Sequence, residues 1–282
     1  MQIIDLHTHS NLSDGQLSPE ELVKLAKEKK CTELSITDHE IIKDHSTLSQ
    51  KYHIDIIPGI EFNCYISNMH ILGYNIKDLD LVNTEMDSLR RINADVCYQV
   101  IDKLRTAGYD ISINQIIDYF EKINQKFDII DKRKIVKYLI FKKYVENTFD
   151  AYQKLIGKNC AFYVPNHKKT PFEIINLINM SGGISVIAHP NTIKMPVANQ
   201  FELFEKLTGC GLTGLEVINK KANTPSEVYI KMADELSLIK TFGSDFHDPC
   251  EDELGIEIDD SSYQDTIKVF KRTKKRSDAK WH

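Results

Sequence analysis

The segment Gln2-Ile3-Ile4-Asp5-Leu6-His7-Thr8-His9 places a His-x-His pair directly after a short apolar strand. In extended backbone, residues two apart point to the same side, so the two imidazoles can meet at one point. Other apolar segments of the chain also end in histidine or a carboxylate, so chemically active side chains collect at predicted strand ends. These junctions are Leu34–Thr37 before Asp38-His39, Ile54–Ile60 before Glu61, Ile184–Ala188 before His189, Leu215 before Glu216, and Ile239–Ser244 before Asp245-Phe246-His247.

Helical segments separate most of these strands, which predicts parallel βα units and an α/β chain. The first helix is indicated by Ser18 and Glu21, which form a capping box around Pro19. Phe62–Ser67 and Met69–Tyr74 predict a hairpin. With five or more βα units we expect a closed βα barrel rather than an open sheet, and functional residues of such barrels lie at the C-terminal strand ends.

Residues 78–169 interrupt this alternation. Long helical periodicities dominate there, glycine is scarce, and no convincing buried strand is found. We therefore predict an inserted helical subdomain, 78–169, between the two parts of the barrel, 1–77 and 170–282. Its predicted helices are Leu79–Ala107, Asn114–Ile123, Lys132–Val145 and Phe149–Ile156.

The composition is that of a globular protein with a sizeable core, since 41% of the 282 residues are hydrophobic and 27% are charged. The 36 Lys and Arg against 41 Asp and Glu give a net charge of −5, which excludes a basic nucleic-acid coat protein. The sequence has no apolar run of about 18 residues and no signal-peptide pattern. Its six cysteines are far apart and form no CxxC pair. We expect a reduced, cytoplasmic setting and no membrane partner.

Nine side chains, six imidazoles and three carboxylates, have the chemistry of metal ligands. One zinc site needs about three or four protein ligands, so nine suit three divalent ions that share ligands and keep open positions for water. Mixed imidazole and carboxylate ligation favours Mn, Fe or Zn over Ca or Mg, and Mn is our first candidate. The set is His7, His9, Asp14, His39, Glu61, His70, His189, Asp245 and His247.

These residues resemble the PHP (polymerase and histidinol phosphatase) family. The matching segments are Asp5–Ser10 with Ser13-Asp14-Gly15, Ile36–His39, Pro58–Glu61, Ala188-His189-Pro190 and Gly243–His247. The resemblance implies a distorted seven-stranded βα barrel that holds up to three metals at the C-terminal strand ends. It also implies three ligand groups, namely His7, His9, Glu61 and Asp245; Glu61, His70 and His189; and Asp14, His39 and His247.

The insertion before Tyr163-Val164-Pro165 is similar to that of PHP phosphoesterases acting on small nucleotides. The resemblance implies hydrolysis of phosphate monoesters, such as a nucleoside 3′,5′-bisphosphate or an AMP-like compound. A 5′–3′ exonuclease on short RNA or DNA, a histidinol phosphatase and a non-catalytic accessory module are alternatives. No stable duplex partner is expected. The family's phosphate-binding segment matches Lys132, Arg133 and Lys134, although its His and Arg positions are not kept.

The expected nucleophile is a hydroxide that bridges two metals and is held by Glu61. Asp5, Asp38 and Glu216 are the residues expected to accept hydrogen bonds from ligand imidazole N–H groups. No side chain is assigned as the general acid for the leaving alcohol.

Overall fold

The structure, a computed structural model, describes residues 1–66, 68–123, 125, 127–220 and 226–278. The chain forms two compact units. Met1–Thr84 together with Lys169–His282 form one, here called the sheet unit, and Glu85–Lys168 form the other, here called the helical unit. The first boundary lies within the helix Leu79–Thr106, whereas we expected it before that helix.

Nine strands lie among the described residues of the sheet unit, in one sheet of four strands and one of five. They are β1 (Gln2–Thr8), β2 (Glu33–Ile36), β3 (Asp55–Ile56), β4 (Gly59–Asn63), β5 (His70–Tyr74), β6 (Ile184–Ala188), β7 (Gly214–Asn219), β8 (Ile239–Gly243) and β9 (Ile256–Ile258). The strand orders are β3-β2-β1-β9 and β4-β5-β6-β7-β8.

The strand directions are mixed. β1, β2 and β3 are parallel neighbours, as are β6, β7 and β8. The pairs β4–β5, β5–β6 and β1–β9 are antiparallel. We expected the β4–β5 hairpin, although Ser67 in its predicted turn lies outside the described residues, but not the other two antiparallel pairs. The α/β class is confirmed, whereas the βα units are not uniformly parallel.

Two isolated backbone bridges connect the sheets at their C-terminal strand ends. Thr8 at the end of β1 pairs with Phe246 just after β8, and His39 just after β2 pairs with Glu61 in β4. Because both bridges lie next to the predicted ligands, side chains from both sheets meet at this edge.

The helices of the sheet unit include two with complete capping boxes, Ser18 with Glu21 and Thr170 with Glu173. In each, the hydroxyl accepts from the N3 amide while the glutamate accepts from the N-cap amide. The helices are α1 (Pro19–Glu28), α2 (Ser46–Tyr52), the start of α3 (Leu79–Thr106), α7 (Pro171–Met180), α8 (Val197–Gly209), α9 (Ser226–Glu235) and α10 (Asp260–Asp278), with a 3₁₀ turn at Pro190–Thr192.

Some elements differ from the sequence-based expectation. The segment Ile54–Ile60 is two strands, β3 and β4, because Pro58 between them cannot donate a ladder hydrogen bond. Helix α2 has no buried residue and no side-chain cap, so its sequence carries neither helical signal. β9 and α10 were also not predicted, and α10 includes the basic segment Lys271–Arg276.

Part of the core of the sheet unit lies between α1 and β2. Leu22, Val23 and Ala26 of α1 pack with Leu34 and Ile36 of β2, all of them buried. Among the described helices, none is long and apolar enough to cross a membrane.

The helical unit has a core of its own, in which Val100, Leu104, Ile116, Ile135 and Leu139 are fully buried. It contains most of α3, then α4 (Ile113–Lys122), α5 (Lys132–Phe141), α6 (Thr148–Ala151) and a π-helical turn, Tyr152–Ile156.

The four predicted helical segments of the insertion are therefore helical. α5 ends before the expected Val145, since Lys143 has a left-handed backbone with φ of 59° that a helix does not continue.

We predict that Ser18→Ala lowers the free energy of unfolding by about 1 kcal/mol, because an α1 amide loses its hydroxyl acceptor. Chemical denaturation measures the change. Thr84→Ala, at an exposed position inside α3, is the control and should be neutral or slightly stabilising, since alanine is the better helix former. Equal losses in both variants would contradict the capping role.

Candidate metal centre

All nine predicted ligands lie in the sheet unit and come together at one edge of its strands, where the parallel strands end and the antiparallel β5 begins with His70. Neighbouring rings among the six imidazoles have centroids 4.2–5.5 Å apart. Three overlapping sets each place one potential ligand atom per residue within 4.8 Å of the others. The sets are His7, His9, Glu61 and Asp245; His39, Glu61 and His70; and His9, Asp14, His39 and His247.

The first set contains the expected four residues. His7 Nε2 lies 3.4 Å from both Glu61 Oε2 and Asp245 Oδ1. His9 Nε2 lies 3.2 Å and 3.3 Å from the same two oxygens. Metal–nitrogen bonds of about 2.0–2.1 Å in a tetrahedral site put neighbouring ligand atoms about 3.3–3.4 Å apart. The observed spacing therefore fits one ion held by these four atoms.

Hydrogen bonding at the first set gives a second test of that fit. The Nε2 atoms of His7 and His9 are fully buried and have no hydrogen-bond partner among the described residues. A buried polar nitrogen without a partner costs about 1–3 kcal/mol. Two such nitrogens that face two carboxylate oxygens are the donor set of a cation site, so the residues present fit a divalent metal.

The Glu61 carboxylate joins the first set to the second. Its Oε1 lies 2.7 Å from His70 Nδ1 and 3.0 Å from His189 Nε2. Its Oε2 faces the first set and also lies 3.3 Å from His39 Nδ1. The second set therefore contains His39 in the place where we expected His189. His189 still contacts the Glu61 carboxylate.

The third set extends the expected one by His9. Asp14 Oδ1 lies 3.6 Å from His247 Nε2 and 3.7 Å from His9 Nδ1, and Asp14 Oδ2 lies 3.8 Å from His39 Nε2. The side chains of Asp14 and His247 are 21% and 25% exposed, whereas that of His9 is fully buried. Solvent therefore reaches the centre at Asp14 and His247, as it does at His70, whose side chain is 23% exposed.

The charges of this cluster favour bound cations. Burial lowers the pKa of His7, but Glu216, Glu61 and Asp245 outweigh it and raise that pKa well above its usual value. Burial also opposes protonation of His9, yet Asp245 and Glu61 raise its pKa to about 10. Burial would raise the pKa of Glu61, but the imidazoles around it, His39 first, hold it well below its usual value.

Of the three expected supporting carboxylates, Glu216 accepts from an imidazole, with Oε1 3.1 Å from His7 Nδ1. The expectation is wrong for Asp5 and Asp38, whose partners are backbone N–H groups and hydroxyls. Asp5 accepts from the amides of His7, Ser244 and Gly255 and from the Ser244 hydroxyl, and Asp38 accepts from the Ser10 amide and the hydroxyls of Ser10 and Ser13.

Further orienting groups were missed from the sequence. Thr192 Oγ1 lies 2.9 Å from His189 Nδ1, and the Asp245 carbonyl oxygen lies 2.8 Å from His247 Nδ1. His189 and Asp245 have positive φ angles, 24° and 57°, which residues with a Cβ rarely adopt. The position of Thr192, three residues after His189, is the only sequence signal for its role.

The cationic residues predicted to bind substrate phosphate lie in the helical unit and have partners there. The Lys132 ammonium donates to the Val164 carbonyl, and Lys134 Nζ lies 2.6 Å from Asp131 Oδ2. Arg133 Nη2 lies 3.6 Å from the same oxygen. Their binding of phosphate stays a prediction.

Comparisons with known proteins identify the family and the fold. A family model described as PHP domain matches residues 5–204. A 5′-3′ exoribonuclease of Haemophilus influenzae is 28% identical over an alignment of 264 residues that covers 90% of this chain and 94% of that protein. A 3′,5′-nucleoside bisphosphate phosphatase of Chromobacterium violaceum is 24% identical over 258 residues, covering 89% of each. A solved amidohydrolase from C. violaceum with bound sulfate has the same fold, with a TM-score of 0.78 and 23% identity over 91% of this chain and 92% of that one.

We predict that Mn²⁺ binding to metal-free protein near pH 7 releases protons, because the pKa of His9, about 10, keeps its imidazole protonated until a metal displaces the proton. Affinity should rise between about pH 6 and pH 9, roughly tenfold per pH unit for each proton displaced. Calorimetry in two buffers with different ionisation enthalpies measures the release. A binding heat that is the same in both buffers would contradict the prediction.

Proposed function

The chain belongs to the PHP domain family, and we propose that it is a metal-dependent phosphoesterase that hydrolyses phosphate monoesters of small nucleotides. The observation that carries the proposal is the Glu61 carboxylate, whose two oxygens face two different groups of imidazoles. One carboxylate shared between two cation positions is the arrangement of two-metal hydrolytic sites. The exoribonuclease and bisphosphatase relatives, both named for cleavage of phosphate bonds, support it.

We assign the centre three divalent ions, with Mn as the first candidate and Fe or Zn as alternatives. The mixture of imidazole and carboxylate donors supports this choice over Ca or Mg. The ligands would be His7, His9, Glu61 and Asp245 for the first ion, Glu61, His70 and His189 for the second with His39 close by, and Asp14, His39 and His247 for the third.

When bound, such ions lower the pKa of water to supply a hydroxide nucleophile and offset the charge of the phosphoryl group. Glu61 would fix the separation of the first two cation positions. Its side chain is 1% exposed, so it cannot swing into solvent. The substrate phosphate would approach the partly exposed Asp14 and His247, which lie on the solvent side of the centre.

We propose that seven strands form a closed barrel, in which β3 and β4 count as one interrupted strand and β9 lies outside the ring. The circular order would be β1, β2, β3/β4, β5, β6, β7 and β8. The Thr8–Phe246 and His39–Glu61 bridges, which connect the two sheets at both sides, support closure.

A 5′–3′ exonuclease on short RNA is the second candidate, favoured by the 28% identical exoribonuclease relative that spans nearly the whole chain. Histidinol phosphatase has no such support. A non-catalytic accessory module is disfavoured by the nine potential ligands, because a centre without a reaction has no need for them.

We predict that Glu61→Ala and His189→Ala each lower phosphate release by about 100-fold or more, because the shared carboxylate or a ligand of the second ion is lost. Metal content after Mn loading should fall in both. The matched control is His53→Ala, an exposed histidine that follows α2. Full activity in the metal-depleted variants would contradict a metal-dependent reaction.

A substrate panel separates the candidate functions. With Mn, we expect phosphate release from adenosine 3′,5′-bisphosphate to exceed release from AMP or histidinol phosphate. A 5′-phosphorylated oligonucleotide tests the exonuclease by its nucleotide ladder. A ladder formed faster than any phosphate release would favour the exoribonuclease instead, and no turnover of any compound would overturn the phosphoesterase proposal.

A further inference from the structure

We propose that Glu216 is a positioning residue that sets the tautomer of His7 and holds the backbone of His189, so that one carboxylate orients a ligand in each of two metal positions. It is itself no ligand in any of the three geometric sets. The inference rests on the proposed function, since it needs a metal centre to act on. The Glu216 side chain is 1% exposed, so its geometry is fixed by protein contacts.

The two oxygens of Glu216 have different partners. Oε2 accepts from the backbone N–H of His189 at 2.6 Å and from the amide nitrogen of Asn219 at 3.1 Å. Both partners are obligate donors at these atoms, so Oε2 must be an acceptor. Oε1 lies 3.1 Å from His7 Nδ1. A carboxylate offers only acceptors there, so the His7 proton is on Nδ1.

The consequence for His7 is that Nε2 carries no proton when the imidazole is neutral. Nε2 is the atom that faces Glu61 and Asp245 and has no hydrogen-bond partner of its own. The opposite tautomer would point an N–H at the place where an ion must bind. A metal-ligating histidine commonly donates its other N–H to a carboxylate, which fixes the ring and its tautomer.

The structure around Glu216 leaves room for this contact. At Gly243 in β8, an added Cβ would lie 2.6 Å from Glu216 Oε1 and 2.3 Å from the Cβ of His7. Real contacts of that kind do not occur, so any side chain at 243 would displace the carboxylate or the imidazole. The glycine thus keeps β8 close to the His7–Glu216 pair.

On the other side, Glu216 supports an unfavourable backbone. His189 has φ 24° and ψ 64°, outside the regions that residues with a Cβ adopt readily. The backbone N–H of His189 donates to Glu216 Oε2, while its ring is oriented separately by Thr192. Such a conformation persists only where surrounding contacts determine it.

Glu216→Gln tests tautomer control because it replaces one carboxylate oxygen by an NH₂ donor and leaves the volume of the side chain nearly unchanged. With the two donors still facing the Oε2 position, the amide oxygen must occupy it, so the NH₂ group takes the Oε1 position. It then donates to His7 Nδ1, which places the His7 proton on Nε2. We expect Mn²⁺ titration of the metal-free protein to show one class of ion bound about 10–100-fold more weakly than in wild type.

Glu216→Ala separates this role from simple support. Alanine lets water accept from His7 Nδ1, so tautomer control predicts that the Gln variant binds Mn²⁺ no better than the Ala variant. Structural support alone predicts the reverse, with Gln close to wild type and Ala weakest. If the Ala variant does not fold, a tenfold or greater loss in the Gln variant, with its metal-free melting temperature unchanged, supports the proposal.

Glu33→Gln is the matched control, since Glu33 is a buried glutamate of the same unit that accepts hydrogen bonds at 2.5 Å from Tyr263 and Thr32 and contacts no ligand. It should bind Mn²⁺ as wild type does. Less than a threefold change in Glu216→Gln, or Gln binding better than Ala, overturns the assignment of Glu216. Wild-type protein that binds no Mn²⁺ overturns the proposed function and this inference with it.

Discussion

The centre depends on one buried carboxylate whose oxygens are divided between two groups of imidazoles. Glu61 stands in β4, and its neighbours come from different parts of the chain. β5 brings His70 alongside, the bridge from β2 brings His39, and the end of β6 brings His189. No local segment could assemble this arrangement, because Glu61 and His189 alone are 128 residues apart along the chain. The strand pairing of the sheet unit therefore brings these histidines together around the Glu61 side chain.

The nine ligand candidates could be found from the sequence for a physical reason. Residues at the ends of neighbouring strands lie at the same edge of the sheet. Residues two apart in extended backbone point to the same side, so His7 and His9 are expected to lie close together. The sequence was a poorer guide to which of these residues belong to the same metal position. His39 approaches both Glu61 and Asp14 with opposite ring nitrogens, and that depends on ring orientation, which spacing does not encode.

The supporting residues and strand directions were harder to predict. Asp5 and Asp38 hold amides and hydroxyls rather than imidazoles. Ser244 just after β8 supplies an amide and a hydroxyl to Asp5, and Ser10 just after β1 does the same for Asp38. Local periodicity identifies a strand but not its direction, so the antiparallel placement of β9 beside β1 has no signal in three residues. Glu216 could be recognised as a carboxylate directly after the apolar Leu215, although it lies inside β7 rather than at its end.

The same electrostatics explains why the cluster attracts both protons and metal ions. Burying carboxylates without counter-charges is costly, and replacing a buried ionic group by packed apolar side chains is often stabilising. In metal-free protein, protons on His7 and His9 supply the counter-charges, as their raised pKa values indicate. Divalent ions supply the same charge at the same atoms and remove the protons. Cations and protons thus compete for one set of nitrogens. Glu216 raises the pKa of His7, but it also keeps the proton of the neutral ring on the far nitrogen, so that Nε2 stays open to the metal.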